Sequence, residues 1–191
     1  MSINKTIQFD CPWPGNDVLM QEYHDNEWGK PEHDDDKLFE LFVLEGFQAG
    51  LSWKTILHKR ENFRRAFDNF DAKTISNYDE HKFAALMHDS GIIRNRLKIA
   101  ATITNAQAFL ALKAEGVSFD QFVWQFTNYK TIDEQYLSMS EVPCSTHESK
   151  MMSKALLSKG FKFAGPTICY SFMQAIGMVN DHLKHCTKRH I

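Results

Sequence analysis

Residues Ser153–Gly177 read SKALLSKGFKFAGPTICYSFMQAIG. Apolar residues recur at helical spacing on both sides of a short break, Gly160-Phe161-Lys162-Phe163-Ala164-Gly165. Two glycines five apart with apolar residues between them predict two helices joined by a tight turn, a helix–hairpin–helix over about 153–177. Glycine allows both a sharp turn and close approach of the backbone to a ligand. Pro166 fits the first turn of the second helix, where its missing N–H would have had no partner within the helix. The other N–H groups of that turn point outward and favour an anion. Lys159 and Lys162 add positive charge nearby. Two readings stand. One is a grip on nucleic-acid backbone through Gly160, Lys162 and Gly165, indifferent to base sequence. The other is an ordinary helical hairpin closed by a glycine C-cap.

The rest of the chain also reads as helical. Asp34–Asp36 place carboxylates where they suit a helix dipole, ahead of Leu38, Leu41, Phe42 and Glu45. A second helix is expected from Ser52, with Trp53, Ile56, Leu57, Phe63 and Phe67 on its apolar side. Asp79 or Glu80 opens a third, ending at Gly91. A long helix follows from about Ile93 to Glu115, with Leu97, Ala101, Ala108 and Leu112 in phase and Gly116 as its stop. Ser118-x-x-Gln121 and Ser145-x-x-Glu148 are capping-box patterns for two more. Three of the five prolines, Pro12, Pro14 and Pro31, fall in the N-terminal stretch, which reads as an ordered loop with short helical pieces. No β-alternation exceeds a few residues, and no repeat or linker occurs. The expectation is an all-α fold, one compact domain over residues 1–191 with an N-terminal and a C-terminal lobe.

A chain of 191 residues can bury a core without disulfides. Hydrophobic residues at 43% and charged residues at 24% are ordinary for a globular protein, whereas 15 Phe and 4 Trp are not ordinary in kind. No apolar run approaches the ~20 residues that span a bilayer, and the N-terminal residues lack the apolar stretch of a secretory signal. With reduced thiols this predicts a cytoplasmic protein. The net charge of −2 argues neither for nor against nucleic acid, since a basic face can be local. Cys144 and Cys169 read as small buried hydrophobes.

Cys11 and His24 lie near one end of the chain, His182 and Cys186 near the other. Two cysteines and two histidines are a common structural zinc set. At i, i+4 on a helix, His182 and Cys186 would share a face. The spacing matches no common zinc-finger pattern, so chance pairing competes with a metal site that ties the chain ends together. His185 and His190 are near enough to stand in as ligands.

Longer blocks carry more. They are Cys11-x-Trp13, Tyr23-His-Asp-Asn-Glu-Trp-Gly29 and Leu44-Glu-Gly-x-Gln-Ala-Gly-Leu-Ser-Trp53. Then come Asp89-x-Gly-Ile-Ile-Arg94, Phe122-Val-Trp124, Gly160-Phe-Lys-Phe163, Thr167-Ile-Cys-Tyr-Ser-Phe-Met-Gln-Ala175 and Val179-Asn-Asp-His182. In these blocks, from Cys11 to Cys186, the chain resembles the bacterial 3-methyladenine DNA glycosylase I family. That resemblance implies a helix–hairpin–helix glycosylase fold with one structural Zn2+ held by Cys11, His24, His182 and Cys186. It implies base excision repair by hydrolysis of the N-glycosidic bond of 3-methyladenine in alkylated double-stranded DNA, with the free base as product. A monomer without membrane contact is expected.

Given such a substrate, Glu45 lies on an inward helical face, where a carboxylate is costly unless partnered. It can accept from the exocyclic amino group of adenine and favour positive charge on the ring, the catalytic contribution expected of it. Trp53 and Trp13 offer stacking surfaces and Tyr23 a hydroxyl, completing the expected base-binding set; Trp53 fits core packing equally, and Trp28 could be core or pocket wall. Extruding a base leaves a gap in the duplex that a wedge must fill, and Gln48 and Leu51 are candidates. Asp181 is the nearest match to an aspartate that supports the oxocarbenium ion in related enzymes, but beside His182 it reads as structural. No lysine lies between Gly165 and Asp181, so a Schiff base is not expected and the enzyme should not nick strands. Two other classes remain: a zinc-stabilised DNA-binding module without catalysis, and a hydrolase with a catalytic zinc.

Overall fold

The computed structural model describes residues 11–189; His190 lies outside them. Among these residues the chain forms α1 (Val18–Asn26), α2 (Asp35–Gln48), α3 (Trp53–Leu57), α4 (Arg60–Ala66) and α5 (Ala72–Ile75). Then follow α6 (Glu80–His88), α7 (Arg96–Ala114), α8 (Phe119–Trp124), α9 (His147–Ser158) and α10 (Pro166–Ala175). The described residues contain no strand, only an isolated bridge between Ile132 and Val179. The fold is all-α, as expected.

α2 is the central element. Asp34 caps it by accepting from the Asp36 and Lys37 amides, and Asp35 and Asp36 occupy its first turn. Leu38, Phe39 and the whole run Phe42–Phe47 are buried, so most of its circumference is enclosed by protein. It packs on α3, α7, α8 and α10. The phenylalanines fill those contacts. Phe42 meets Phe119, Phe161 and Phe172 edge-on, while Phe47 packs on Phe63 and Phe39 on Phe109.

Several boundaries depart from the sequence reading. The helix expected from Ser52 breaks at His58–Lys59 into α3 and α4, although Ser52 caps α3 as expected, accepting from the Thr55 amide. The long helix starts three residues late because Asn95 caps it, accepting from the Leu97 and Lys98 amides. Leu97 falls in the first turn of that helix and is 72% exposed, whereas Lys98 and Asn105 turn inward with Ala101, Ala108 and Leu112. The Ser118–Gln121 box forms. The box before α9 is shifted by one, to Thr146 and Ser149. Cys169 is buried, but Cys144 is exposed, since it lies in the loop before α9 rather than on a packed face.

α9 and α10 are joined by residues 159–165, with Gly160 at φ +91° and Phe161 buried against Phe119. Past α10 the chain presses on the N-terminal stretch. Gly177 has φ +74°, and a Cβ there would lie 2.2 Å from the Lys30 carbonyl carbon. Only glycine admits that approach. Two amides of the 29–32 segment also pair with the end of α10: Gly29 N–H donates to Gln174 O and Glu32 N–H to Ile176 O. The N-terminal segment is thereby docked beside α10.

Candidate active site

α1, α2, α3 and α10 meet around a cavity of about 70 Å³ lined by Trp13, Tyr23, Trp28, Glu45, Gln48, Trp53, Ser171 and Gln174. Every residue expected to bind the base is in this lining. A second recess of about 170 Å³ shares Glu45, Gln48 and Ser171 and opens past Ala49, Gly50 and Leu51 toward Thr167 and Ile168. The loop after α2 and the first turn of α10 therefore frame one mouth.

The lining is aromatic. Trp13 stacks on Trp28 at 4.8 Å between ring centroids, and Tyr23 meets Trp53 at 5.2 Å. Tyr23, Trp28 and Trp53 are buried and Trp13 is half-buried. Two polar atoms in the cavity wall lack a hydrogen-bond partner among the described residues: Glu45 Oε2 and Trp53 Nε1. Buried polar atoms are nearly always paired, so an unpaired set is a sign of function. A cavity of about 520 Å³ lies on the other side of Tyr23, but its Arg60 and Arg64 are engaged by Glu27 and Glu40. The unmet hydrogen-bonding capacity is in the smaller chamber.

Burial pushes the Glu45 carboxyl up to about 8. At neutral pH it is therefore largely protonated, which differs from the ionised acceptor expected from sequence. Burial, and then the nearby Glu45 charge, hold the Tyr23 phenol well above its usual value, so it stays a neutral donor. The site as a whole suits a flat ring that carries positive charge. Such a ring can stack on tryptophan and draw the proton off Glu45.

On the far side of Trp28, Cys11, His24, His182 and Cys186 converge, all buried, with one ligand atom from each lying within 4.8 Å of the others. Cys186 Sγ is 3.7 Å from His24 Nε2 and 3.5 Å from His182 Nδ1. The opposite ring nitrogens are occupied: His24 Nδ1 faces Asp25 Oδ1 at 2.7 Å and His182 Nε2 faces Trp28 O at 3.0 Å. Those contacts favour the tautomers that aim Nε2 of His24 and Nδ1 of His182 inward as ligands. The Leu183 amide donates to Cys11 Sγ at 3.2 Å. The cluster could hold a metal ion. Residues 182–186 are not helical, contrary to expectation; a turn closed by Cys186 N–H to Leu183 O brings the pair together. His185 is not in the cluster.

Asp181 is buried outside the cavity lining. Its Oδ2 accepts from Tyr170 and Gln174, each at 2.7 Å, which ties the ligand-bearing segment to α10. Of the residues expected to touch DNA, Lys162 and Leu51 are exposed, and Gly160, Gly165 and Gln48 are half-buried. Lys159 is paired with Glu115 at 2.6 Å, so it adds less free positive charge than expected. Ser171 and Gln174 were not singled out as pocket residues. Their i, i+3 spacing in the block Thr167–Ala175 was the available signal, since it puts both on one face of α10.

The frame is all-helical and the pocket it encloses is aromatic, with an unpartnered carboxyl oxygen in its wall. Comparison with known proteins supplies the class. Residues 13–190 match the family model described as methyladenine glycosylase. The chain is 52% identical over 176 residues to DNA-3-methyladenine glycosylase 1 of Escherichia coli (strain K12), covering 92% of this chain and 94% of that one. It superposes on a crystal structure of 3-methyladenine DNA glycosylase I with a TM-score of 0.92 at 50% identity, covering 94% and 98% of the two chains. It is also similar to 3-methyladenine DNA glycosylase I of Staphylococcus aureus, in a structure addressing the basis of 3-methyladenine recognition. There the TM-score is 0.91 at 35% identity, covering 96% and 98%. The chain belongs to the methyladenine glycosylase family.

A raised carboxyl pKa has a consequence for stability. The folded state holds a proton that the unfolded chain releases above the ordinary glutamate value of 4.5. Stability therefore falls as pH rises from about 4.5 toward 8, by a few kcal/mol in total. Glu45→Gln should raise the melting temperature by several degrees at pH 8 and change it little at pH 4.5. Thermal unfolding across that pH range checks this; a pH-independent difference, or a destabilised variant at pH 8, would contradict it.

Proposed function

We propose that this protein hydrolyses the N-glycosidic bond of 3-methyladenine in alkylated double-stranded DNA, as a monofunctional glycosylase of base excision repair. The observation that carries the proposal is the unpartnered Glu45 carboxyl in an aromatic pocket of a methyladenine glycosylase chain.

The chemistry suits that pocket. Adenine methylated at N3 while bonded to the sugar is a cation. When the C1′–N9 bond breaks, its electron pair stays with the base, which leaves neutral. The sugar becomes an oxocarbenium ion, and water adds at C1′ with loss of a proton. The leaving group is already good, so the protein's part is to receive the flipped base and hold it. Glu45 gives up its proton to solvent water as the cationic ring enters, accepts from the exocyclic amino group and opposes the positive charge of the ring. Trp53 and Trp13 offer stacking surfaces, each contact being of order ~1–3 kcal/mol. Tyr23 stays neutral and can donate to the base or to Glu45. Ordinary adenine carries no charge to draw the proton from Glu45, so it binds less well. No lysine lies between Gly165 and Asp181 to form a Schiff base, which is the basis for expecting no strand nicking.

DNA is held, in this reading, by the helix–hairpin–helix of α9 and α10 through Gly160, Lys162 and Gly165. Gln48 and Leu51 fill the gap left by the extruded base. One chain completes both pocket and cluster, in keeping with a monomer, and cysteines placed in a metal-type cluster suit a cytoplasmic setting.

The metal we assign to Cys11, His24, His182 and Cys186 is one Zn2+. Tetrahedral zinc with ordinary bond lengths separates sulfur from nitrogen ligands by about 3.6 Å, and the two measured separations are 3.7 and 3.5 Å. Burial of all four ligands suits a closed, structural shell. Bound there, the ion would cross-link the ends of the described chain and fix the backbone that carries Tyr23.

Chromatography of bases released from alkylated duplex tests the activity. Wild type should release 3-methyladenine without cutting the strand, and Glu45→Gln should be slower by about tenfold or more. Intact DNA binding with no base released would instead favour a non-catalytic zinc module. Elemental analysis should find one zinc per chain, lost together with several degrees of melting temperature in Cys186→Ala. A variant with full metal content and unchanged melting would overturn the assignment.

A further inference from the structure

α7 crosses the molecule behind both segments assigned to DNA. Three of its polar side chains are buried; Thr102 bonds back to Lys98 O within the helix, while Lys98 at 7% exposure and Asn105 at 4% reach outside it. Seven residues apart, they share one face about 10 Å apart along the axis. Neither lines the base cavity or the recess beside it.

Each holds main chain rather than another side chain. Lys98 Nζ donates to Phe47 O and Ala49 O, both at 2.7 Å. These carbonyls close α2, which has no basic residue of its own in its last turn. A cation there opposes the negative end of the helix dipole. Immediately beyond is the exposed turn at Gly50 and Leu51, with Gly50 at φ +76°. Burial pulls the Lys98 pKa down, so its placement depends on those two acceptors. Asn105 works on the hairpin: its Oδ1 accepts from the Lys162 amide at 2.7 Å and its Nδ2 donates to Lys162 O at 3.2 Å. The next residue, Phe163, has a positive φ of +52°, a backbone state that must be held from outside. Between these anchors α2 and the hairpin touch directly, since a Cβ on Gly46 would sit 3.4 Å from Phe163 Cβ.

We propose that α7 acts as a spacer that fixes the distance between the wedge loop and the phosphate-binding hairpin, with Lys98 and Asn105 as its two positioning residues. The duplex must meet both segments at once while the base reaches Glu45. A rigid spacing removes the ordering that two independent loops would need on binding. The inference rests on the assignment of Gln48–Leu51 and residues 160–165 to DNA contact.

The test measures two affinities on the intact protein. One is for a duplex with a stable abasic analogue, by fluorescence anisotropy; the other is for free 3-methyladenine, by calorimetry. Lys98→Met and Asn105→Asp should each weaken duplex binding by about tenfold and leave base affinity within about twofold. Asn105→Asp keeps the shape but sets an acceptor against Lys162 O, and it carries the test if Lys98→Met does not fold. Lys98→Met combined with Leu51→Ala should be little weaker than Leu51→Ala alone, because the positioned side chain is already gone. Wild-type duplex affinity in folded variants would overturn the spacer, as would parallel loss of duplex and base, which marks general damage. If Leu51→Ala and Lys162→Ala themselves bind duplex normally, the DNA-contact assignment fails, and the spacer with it.

Discussion

A carboxyl group buried without a partner is the constraint on which this structure turns. Glu45 sits within the wholly buried run Phe42–Phe47 of α2, and no described residue hydrogen-bonds its Oε2. Left to relax, such a group would draw water in or rotate toward a donor. The helix that carries it is held in place. α2 is fixed along most of its length by the Phe42, Phe47 and Phe39 contacts, and at its C-terminal end by Lys98. Trp13, Trp28 and Trp53 surround the carboxyl with flat apolar surface. Under the proposed function, a ligand that brings both a donor and positive charge offsets the cost of the unpaired acid, and selectivity for a cationic base rests on Glu45 as well as on the shape of the cavity.

The Cys/His cluster stands one ring away from that carboxyl. Trp28 lies between them, its ring 4.8 Å from both Trp13 and His182 and its carbonyl facing His182 Nε2. His24 in the cluster follows Tyr23 in the pocket. A shift of the ligands would therefore be felt at the pocket through one residue of backbone and one indole. Gly177 and the 29–32 segment fasten the same region to α10, so the aromatic wall is held from two directions.

Much of this was legible in the sequence for local reasons. The Asp34 cap, the Ser118 box, the Gly165–Pro166 helix start and the inward face of α2 each depend on a few adjacent residues. The four-residue cluster was legible only through the longer blocks that carry the family resemblance, since its spacing alone left chance pairing open, and its local geometry was not legible. A turn rather than a helix aligns His182 with Cys186, and nothing in H-x-x-x-C distinguishes the two. Lys98 and Asn105 were invisible for another reason. Their partners are backbone atoms about 50 residues away, and a lysine in a helix reads as solvated until the fold buries it. Leu97 misled for the same reason in reverse, because it is in phase with the buried stripe but lies in the first turn, two residues after the Asn95 cap, where it stays exposed. The protonation of Glu45 was likewise beyond reach, since burial depends on the complete aromatic shell.

The direct test of the account is the titration of the Glu45 carboxyl carbon by nuclear magnetic resonance, with and without 3-methyladenine kept cationic by a second methyl group at N9. The account predicts a midpoint near 8 in the free protein and an ionised carboxylate at neutral pH once the base is bound. A midpoint in the ordinary carboxylate range in the free protein, or a carboxyl that stays protonated with base in the pocket, would contradict it.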